Sequence, residues 1–175
     1  MDFDQELETN QHILNTARGM VATAITAPKA KGINNIQTKI LIRQDIAPII
    51  EEMEKISSEK ALPFFKRDAE NLKLTPVLVL IGTKISYRGI PNCGFCGNVD
   101  CSDNKAKGGL CSYDITDLGI AIGQATAFAL NNHVDHRVFF TAGKAAINLK
   151  ILEECKLVYA IPLSVYGKNI YYDRG

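Results

Sequence analysis

A sequence of 175 residues suits one domain that buries its core without disulfide bonds. The 20 basic residues are scattered and nearly balanced by 19 acidic ones, so we expect no nucleic acid and no anionic membrane as a partner. The first residues are acidic and polar, and no apolar run approaches the ~20 residues of a membrane span, so we expect a cytoplasmic protein. In a reducing cytosol, clustered cysteines more often bind metal or do redox work than form disulfides.

Local patterns in the first half of the chain predict three helices and two strands. The helices cover residues 5–26, 46–62 and 64–74, and the strands cover residues 39–42 and 77–82. Apolar residues recur at helical spacing in the first two helices, and Asp45 is the predicted N-cap of the second. Residues 26–38 mix Pro, Gly, Asn and Lys and predict a loop. The second strand is continuously apolar, which predicts burial on both of its faces.

The second half of the chain predicts helices that alternate with strands. The helices cover residues 114–132 and 144–155, and the strands cover residues 137–143 and 156–163. The first of these helices is apolar nearly all round, which predicts a central position and, over residues 117–130, a subunit contact. Together the elements predict a single domain of residues 1–175 in the α/β or α+β class, with a sheet flanked by helices.

Four of the five cysteines lie in the segment CGFCGNVDCSDNKAKGGLC, spaced C-x2-C-x4-C-x9-C. They are Cys93, Cys96, Cys101 and Cys111, and residues 91–112 are named the cysteine loop below. Four thiolates in one short loop are soft ligands that suit an iron–sulfur cluster, zinc or cuprous copper. A tight turn at Gly94 and Gly97 would let the first cysteine pair face one metal or one corner of a cluster.

The spacing favours a cluster over structural zinc. Structural zinc sites commonly use two C-x2-C pairs, and only the first pair is present here. The spacing also departs from the bacterial ferredoxin run and from the plant-type order. We therefore predict an iron–sulfur cluster, most simply 4Fe-4S. A four-cysteine zinc site and a cofactor-free or disulfide state are the alternatives.

Other polar residues near the cysteines are expected to form turns rather than to act in catalysis. They are Asn92, Asn98, Asp100, Asp103 and Asn104. The fifth cysteine, Cys155, lies at the end of a predicted helix and is expected to behave as a small hydrophobic residue. The three histidines are expected to be solvated or helix-terminal. The predicted metal ligands are therefore the four cysteines of the loop alone.

Four stretches of the chain carry a family resemblance: ARGMVATAITAPKAKGINNI, CGFCGNVDC, DITDLGIAIGQATA and IPLSVYGKNIYYDR. Together they make nearly the whole sequence similar to the DUF2148 family of bacterial and archaeal proteins, which are described as containing a ferredoxin domain. The resemblance implies that residues 91–112 are a ferredoxin-like cysteine loop.

A more distant resemblance is to FMN-dependent nitroreductases, whose APSxxNxQ-like loop, D-x-G-x-A helix and closing glycine turn occur in the same order here. The similar residues are Ala27, Pro28 and Lys29 with Asn34, Asn35 and Gln37, then Asp117, Gly119 and Ala121, then Gly167, Lys168 and Arg174. The sequence departs from the nitroreductase pattern in three places. Lys29 replaces the serine of the APS element, Arg18 is a single arginine where the family has a pair, and the cysteine loop occupies the place of a different segment.

The second resemblance implies a nitroreductase-like α+β fold, a homodimer and FMN as a cofactor. Arg18, Lys29, Lys31 and Arg174 are then the expected phosphate contacts, and Asn34 or Asn35 the expected contact of the flavin ring. The other interpretation of these residues is a solvated basic loop. For function, the first hypothesis is an electron carrier or flavin-assisted oxidoreductase with a redox partner or small-molecule substrate. The second is a non-catalytic zinc-binding interaction module.

Overall fold

The computed structural model describes residues 4–172. Its strands are β1 (Ile36–Ile42), β2 (Val77–Thr83), β3 (Asp135–His136) and β4 (Leu157–Ser164). They form one sheet in the order β1-β2-β4-β3, and each neighbouring pair is antiparallel. β2 and β4 are therefore the central strands.

Helices cover both faces of this sheet. They are α1 (Gln5–Thr26), α2 (Ala47–Lys60), α3 (Pro63–Lys73), α4 (Cys101–Ala106), α5 (Ser112–Asn131) and α6 (Phe140–Asn148). α1 and α5 pack on one face, and α2, α3 and α6 pack on the other. None of the helices within residues 4–172 has a stretch long and apolar enough to cross a bilayer. The predicted sheet flanked by helices is confirmed.

β2 is buried along its whole length because helices lie on both sides of it. Successive side chains of a strand point to opposite faces. Accordingly, Leu78 and Leu80 join the core under α2, α3 and α6, whereas Val77, Val79 and Ile81 join the core under α1 and α5. The prediction that this strand is buried on both faces is confirmed.

α1 and α5 pack against each other on one face of the sheet. Asp4 caps α1 by accepting from the amide groups of Glu6 and Leu7, and the predicted helix over residues 5–26 is confirmed. The two helices approach closely at Gly19, where an added Cβ would lie 2.1 Å from the Phe128 ring. The C-terminal part of α5 is therefore packed tightly against α1.

The predicted strand over residues 137–143 is wrong. The chain forms only the two-residue β3 and an isolated bridge between Phe139 and Ala160, and then α6 begins at Phe140. α6 crosses β4 so closely that a Cβ on Gly143 would lie 2.0 Å from the carbonyl oxygen of Val158. This glycine allows a helix to pack where the local apolar run favours a strand.

Two helix boundaries also differ from prediction. The helix predicted over residues 144–155 ends at Asn148, because Lys150 turns in the left-handed region (φ 54°) and the Ile151 amide donates to the Ala146 carbonyl. Asp45 is not the N-cap of α2. It lies in a 3-10 turn, and Ile46 occupies the cap position without a side-chain hydrogen bond.

The predicted loop over residues 26–38 is too long at its C-terminal end. β1 begins at Ile36, because the residues from Ile36 to Ile42 pair with the whole length of β2, from Thr83 back to Val77. The strand predicted over residues 39–42 is thus the second half of a longer one.

Candidate functional site

The cysteine loop connects β2 to α5 and surrounds one cavity. All four of its cysteines line that cavity, and Arg88 and Tyr113 line it with them. The centre of a water-sized sphere can occupy about 80 Å³ there, several times the ~10–15 Å³ that one water needs. The five cysteines of the chain are all free. The loop therefore presents four sulfur ligands to one space, which is named the cysteine cavity below.

Asn104 organises the interior of the loop. It is 2 % exposed, its Nδ2 donates to the Leu110 carbonyl at 3.0 Å, and its Oδ1 accepts from Asn98 Nδ2 at 3.0 Å. The same Asn98 amide lies 3.7 Å from the Cys96 sulfur. Asn98 lies in a bend, as expected, and adds a donor near a cysteine sulfur, whereas Asn104 lies within α4 rather than in a turn.

Two aspartates hold the short helix α4, which the sequence did not predict. Asp100 caps it by accepting from the Asp103 amide at 2.8 Å, and Asp103 accepts from the Val99 amide at 3.2 Å. The hydrogen bond that Lys107 donates to Asp103 is the largest cause that lowers the pKa of this carboxyl below its ordinary value. These bonds fix Cys101 as the first residue of α4.

The first cysteine pair is separated by a turn that two glycines permit. Gly94 and Gly97 have φ of 62° and 77°, a region that other L residues rarely adopt. The Gly97 amide donates to the Gly94 carbonyl at 2.9 Å. The turn brings Cys93 and Cys96 to the same cavity, as the spacing predicts.

Cys111 lies at the start of a long helix. It is buried and occupies the N-cap position of α5, where its side chain makes no capping hydrogen bond. The first amide groups of a helix lack intrahelical partners and carry the positive end of the helix dipole. This position therefore favours an anionic group beside Cys111.

The arrangement of ligands differs from that of a preformed site for one ion. Among residues 4–172, no three cysteine, histidine or carboxylate side chains are grouped so as to hold a single metal ion. A single zinc requires its sulfurs within about 2.3 Å of one point. A cluster with several irons accepts sulfurs that are spread around a cavity, because each cysteine binds a different iron.

A buried ionic group lies against the cysteine cavity, and the sequence analysis did not identify it as a group. Arg88 Nη2 lies 2.8 Å from Asp114 Oδ1 and 2.7 Å from Asp117 Oδ2. The side chains of these three residues are at most 5 % exposed. Asp114 and Asp117 are three residues apart on α5, which puts both carboxylates on one helix face. They are named the carboxylate pair below.

The carboxylate pair is anchored from several sides. Asp114 also accepts from Asn35 Nδ2 and from the Ser86 amide, both at 2.8 Å. Asp117 accepts from the Ala30 amide at 3.1 Å. Because Ala30 and Asn35 precede β1 whereas Ser86 follows β2, the group ties two separate loops to the start of α5.

One signal in the sequence pointed to this group. Asp114 and Asp117 are carboxylates with i, i+3 spacing on a helix that is otherwise apolar, and such charges need a partner when they are buried. The partner, Arg88, is 26 residues before Asp114 in a segment without regular structure, so no periodic pattern joins them. Only the tertiary structure supplies that pairing.

Lys29, a predicted phosphate contact, closes the C-terminus of α1. Its Nζ donates to the carbonyls of Ala24, Ile25 and Ala27 at 3.0, 2.7 and 2.6 Å. Burial lowers the pKa of Lys29, and the nearby charge of Asp117 partly offsets that shift. All three protons of this ammonium group have acceptors within the protein.

The predicted ring contacts are also engaged within the chain. Asn34 Oδ1 accepts from the Ile36 amide at 3.1 Å, and Asn35 Nδ2 donates to Ser86 Oγ as well as to the carboxylate pair. Lys31 Nζ donates to the Arg88 carbonyl at 3.2 Å. Lys31 and Asn35 therefore lie beside the ionic group of Arg88.

The remaining predicted flavin contacts are Arg18 and Arg174. Arg18 is exposed on α1 and donates to Asn15 Oδ1 at 2.9 Å, and Arg174 lies outside the described residues. None of the five described contacts lines the cysteine cavity. The structure thus brings the four cysteines to one cavity and gathers Lys29, Lys31 and Asn35 near the carboxylate pair, but it does not bring Arg18 to them.

Comparisons with known structures identify the fold. A BluB-like flavoprotein from Clostridium difficile is 20 % identical, with a TM-score of 0.59 over 97 % of this chain and 84 % of that one. The FMN-dependent nitroreductase NfnB from Mycobacterium smegmatis, solved with NADPH, is 11 % identical, with a TM-score of 0.60 over 88 % of this chain and 78 % of that one. At such low identity these likenesses establish the nitroreductase fold alone.

Sequence comparisons identify the family. The model of DUF2148, described as "Uncharacterized protein containing a ferredoxin domain", matches residues 107–174, a span that includes Cys111 but not the other three loop cysteines. A protein from Archaeoglobus fulgidus is 32 % identical over 173 residues, which cover 94 % of this chain and 93 % of that protein. The chain therefore belongs to the DUF2148 family, and it has the nitroreductase fold.

Proposed function

We propose that the chain is a redox protein that holds an iron–sulfur cluster, most simply 4Fe-4S, on Cys93, Cys96, Cys101 and Cys111. One observation carries the proposal: these four cysteines, spread over nineteen residues, line a single cavity. The ferredoxin domain in the description of the family agrees with it.

The residues around the cavity fit such a cluster. Thiolates are the preferred ligands of iron–sulfur clusters. The cluster and its four thiolates are anionic, which the N-terminus of α5 behind Cys111 favours. Asn98 Nδ2, at 3.7 Å from the Cys96 sulfur, is a hydrogen-bond donor of the kind that tunes reduction potential.

When bound, the cluster would accept and release single electrons. The chain would hold it through the four cysteines and limit the access of water with the side chains of Ile90, Pro91 and Tyr113. Tyr113 stacks on Phe95 with ring centroids 5.8 Å apart. Three of the four cysteines are only half-buried, so the site lies near the surface, where a redox partner or a small substrate can approach.

A homodimer is part of this proposal. α5 leaves one side exposed, and that side carries Ile115, Ile120 and Leu130 at 43 %, 37 % and 67 % exposure. Exposed apolar side chains of this kind are typical of the core of a homodimer interface. Light scattering during size-exclusion chromatography measures the state of association, and a molar mass of one chain would contradict the dimer.

Two matched cysteine variants test the ligand assignment. In protein purified anaerobically, Cys96→Ala is expected to lose the visible absorption of the cluster while its circular dichroism stays close to that of the wild type, because the core does not include the loop. Cys155→Ala removes a cysteine that lies in the core, and it is expected to keep the cluster. Equal absorption in the two variants would contradict the assignment. Stoichiometric zinc in protein expressed with adequate iron would favour the zinc-binding alternative.

FMN binding is the second candidate, and the fold favours it because structures with the same fold include FMN-dependent nitroreductases. The described residues do not form a ready flavin site, since Lys29 and Asn35 already have partners within the chain. Lys31 and Arg18 have partners as well, the Arg88 carbonyl and Asn15 Oδ1, so a flavin phosphate would have to replace these bonds. Quenching of FMN fluorescence tests this candidate. It fails if no saturable quenching occurs, or if Arg18→Ala and Lys31→Ala leave the affinity unchanged.

A further inference from the structure

Arg88 has a buried donor that the rest of the protein does not use. The residue is 4 % exposed and lines the cysteine cavity. Within the described part of the chain, its Nε is buried and has no hydrogen-bond partner. A buried donor without a hydrogen-bond partner is costly, because it has lost its bonds to water and gained none in exchange. The same residue lines a cavity that also holds four cysteine ligands. We therefore expect the partner of this N–H to be a group bound in that cavity.

The other nitrogens of the guanidinium are fixed. Nη2 faces both members of the carboxylate pair at 2.8 and 2.7 Å, and Nη1 donates to Ser86 Oγ at 3.3 Å. Because the guanidinium is planar, these contacts also fix the direction of the Nε–H bond. Arg88 is thus held rigidly by the carboxylate pair and Ser86, and it is one of the residues that line the cysteine cavity.

We propose that Arg88 tunes the reduction potential of the cluster, in addition to Asn98, through a hydrogen bond from its Nε–H to a thiolate or sulfide sulfur. This inference rests on the proposed iron–sulfur function. Reduction adds one electron to the cluster, which increases the negative charge on its sulfurs and strengthens such a bond. Arg88 therefore raises the potential, as a positioning residue rather than a catalytic one.

The carboxylate pair acts in the opposite direction. One arginine faces two carboxylates, so this buried group is net negative and disfavours the added electron. Two further cations lie nearby: Lys31 donates to the Arg88 carbonyl, and the charge of Lys29 interacts with Asp117. Removal of the Arg88 hydrogen bond and removal of one carboxylate charge are therefore expected to shift the potential with opposite signs.

The test is a dithionite titration of the full-length protein, purified anaerobically, with the absorption of the cluster as the readout. Arg88→Lys keeps the positive charge but loses Nε and the planar fork. We expect its reduction constant to fall about tenfold, which is a negative shift of about 59 mV for one electron. The matched control is Arg67→Lys, which alters an arginine paired with the buried Asp68 on α3, outside this site. The control is expected to keep the wild-type potential.

A second variant separates the possible outcomes. Asp117→Asn keeps the shape of the side chain, and we expect it to shift the potential positively. If Arg88→Lys does not assemble a cluster, the inference is tested by the sign of the change in reduction potential in Asp117→Asn. A zero or negative change overturns the inference. A cluster-bearing Arg88→Lys protein with the potential of the Arg67→Lys control overturns it as well. Wild-type protein without iron and sulfide would instead overturn the proposed function, and the inference with it.

Discussion

Asp114→Asn is the sharpest test of the buried ionic group, because the change keeps the shape of the side chain and removes its charge. Three donors converge on this carboxylate: Asn35 Nδ2 and Arg88 Nη2 on Oδ1, and the Ser86 amide on Oδ2. An asparagine can accept at only one of these two positions, so its own NH₂ faces a donor at the other.

The free energy of unfolding is therefore expected to fall by about 2–4 kcal/mol. An unsatisfied buried donor accounts for about 1–3 kcal/mol of this. Full rupture of a buried ion pair costs about 3–5 kcal/mol, but Arg88 keeps Asp117 as a partner, so only part of that cost applies. Such a loss is a large fraction of the roughly 5–15 kcal/mol by which domains are stable.

Urea unfolding followed by circular dichroism measures this change. With a slope of about 2 kcal/mol per molar urea, the midpoint is expected to fall by about 1–2 M. The control is Asp45→Asn, at an exposed carboxylate in the turn before α2, where a change within about 0.5 kcal/mol is expected. Equal midpoints for the two variants would show that the group of Arg88 and the carboxylate pair does not stabilise the fold.

Three further predictions concern the core. Gly143→Ala places a Cβ 2.0 Å from the carbonyl oxygen of Val158, and we expect it to lower the free energy of unfolding in urea by at least about 3 kcal/mol. The control Gly119→Ala, in open space on α5, is expected to raise that free energy by about 0.5–1 kcal/mol. Similar urea midpoints for the two variants would contradict the close packing of α6. Burial raises the pKa of Tyr171 from 10.0 to about 12. The neutral Tyr171 hydroxyl therefore contributes fully to the free energy of unfolding below pH 10, and this contribution is lost as the pH rises towards 12. The free energy of unfolding of the wild type is expected to fall by about 2–3 kcal/mol between pH 10 and pH 12, and that of Tyr171→Phe by less. Identical pH profiles for the two proteins would show that Tyr171 does not cause the loss. Burial also raises the pKa of Cys155 to about 11, so about one thiol in a thousand is ionised at pH 8. Iodoacetamide is expected to modify the half-buried cysteines Cys93, Cys96 and Cys101 of cluster-free native protein and to spare Cys155. Modification of Cys155 at the same rate as these three would contradict its burial.

Much of the fold followed from local pattern. The period of apolar residues predicted α1 to the residue, and the continuous apolar run predicted the burial of β2. In both elements the buried residues are the apolar ones of the local sequence, so the local sequence is sufficient to predict them. The family and the nitroreductase fold were also predicted from motifs, and the comparisons support both.

The errors occur where tertiary contacts decide the local structure. Residues 137–143 have the β-branched and aromatic content of a strand, yet Gly143 lets α6 pack directly on the backbone of β4. Likewise, Arg88 and the carboxylate pair come from segments that only the fold brings together. No period in the sequence encodes either contact.

For the candidate site, the spacing of the cysteines indicated which residues share a cavity, and the assignment of the metal stays a prediction. The flavin contacts stay a prediction, and the structure adds partners within the chain that the motif does not indicate. Lys29 occupies a position that suits a phosphate contact, but the structure uses it to close α1. Asn35 likewise holds the carboxylate pair in place.

The most direct test of the account is the iron and acid-labile sulfide content of the anaerobically purified wild-type protein, measured together with its absorption spectrum. We expect about four irons and about four sulfides per chain and a broad brown absorption that bleaches on reduction. A colourless protein without iron and sulfide, or one with a stoichiometric zinc in their place, would contradict it.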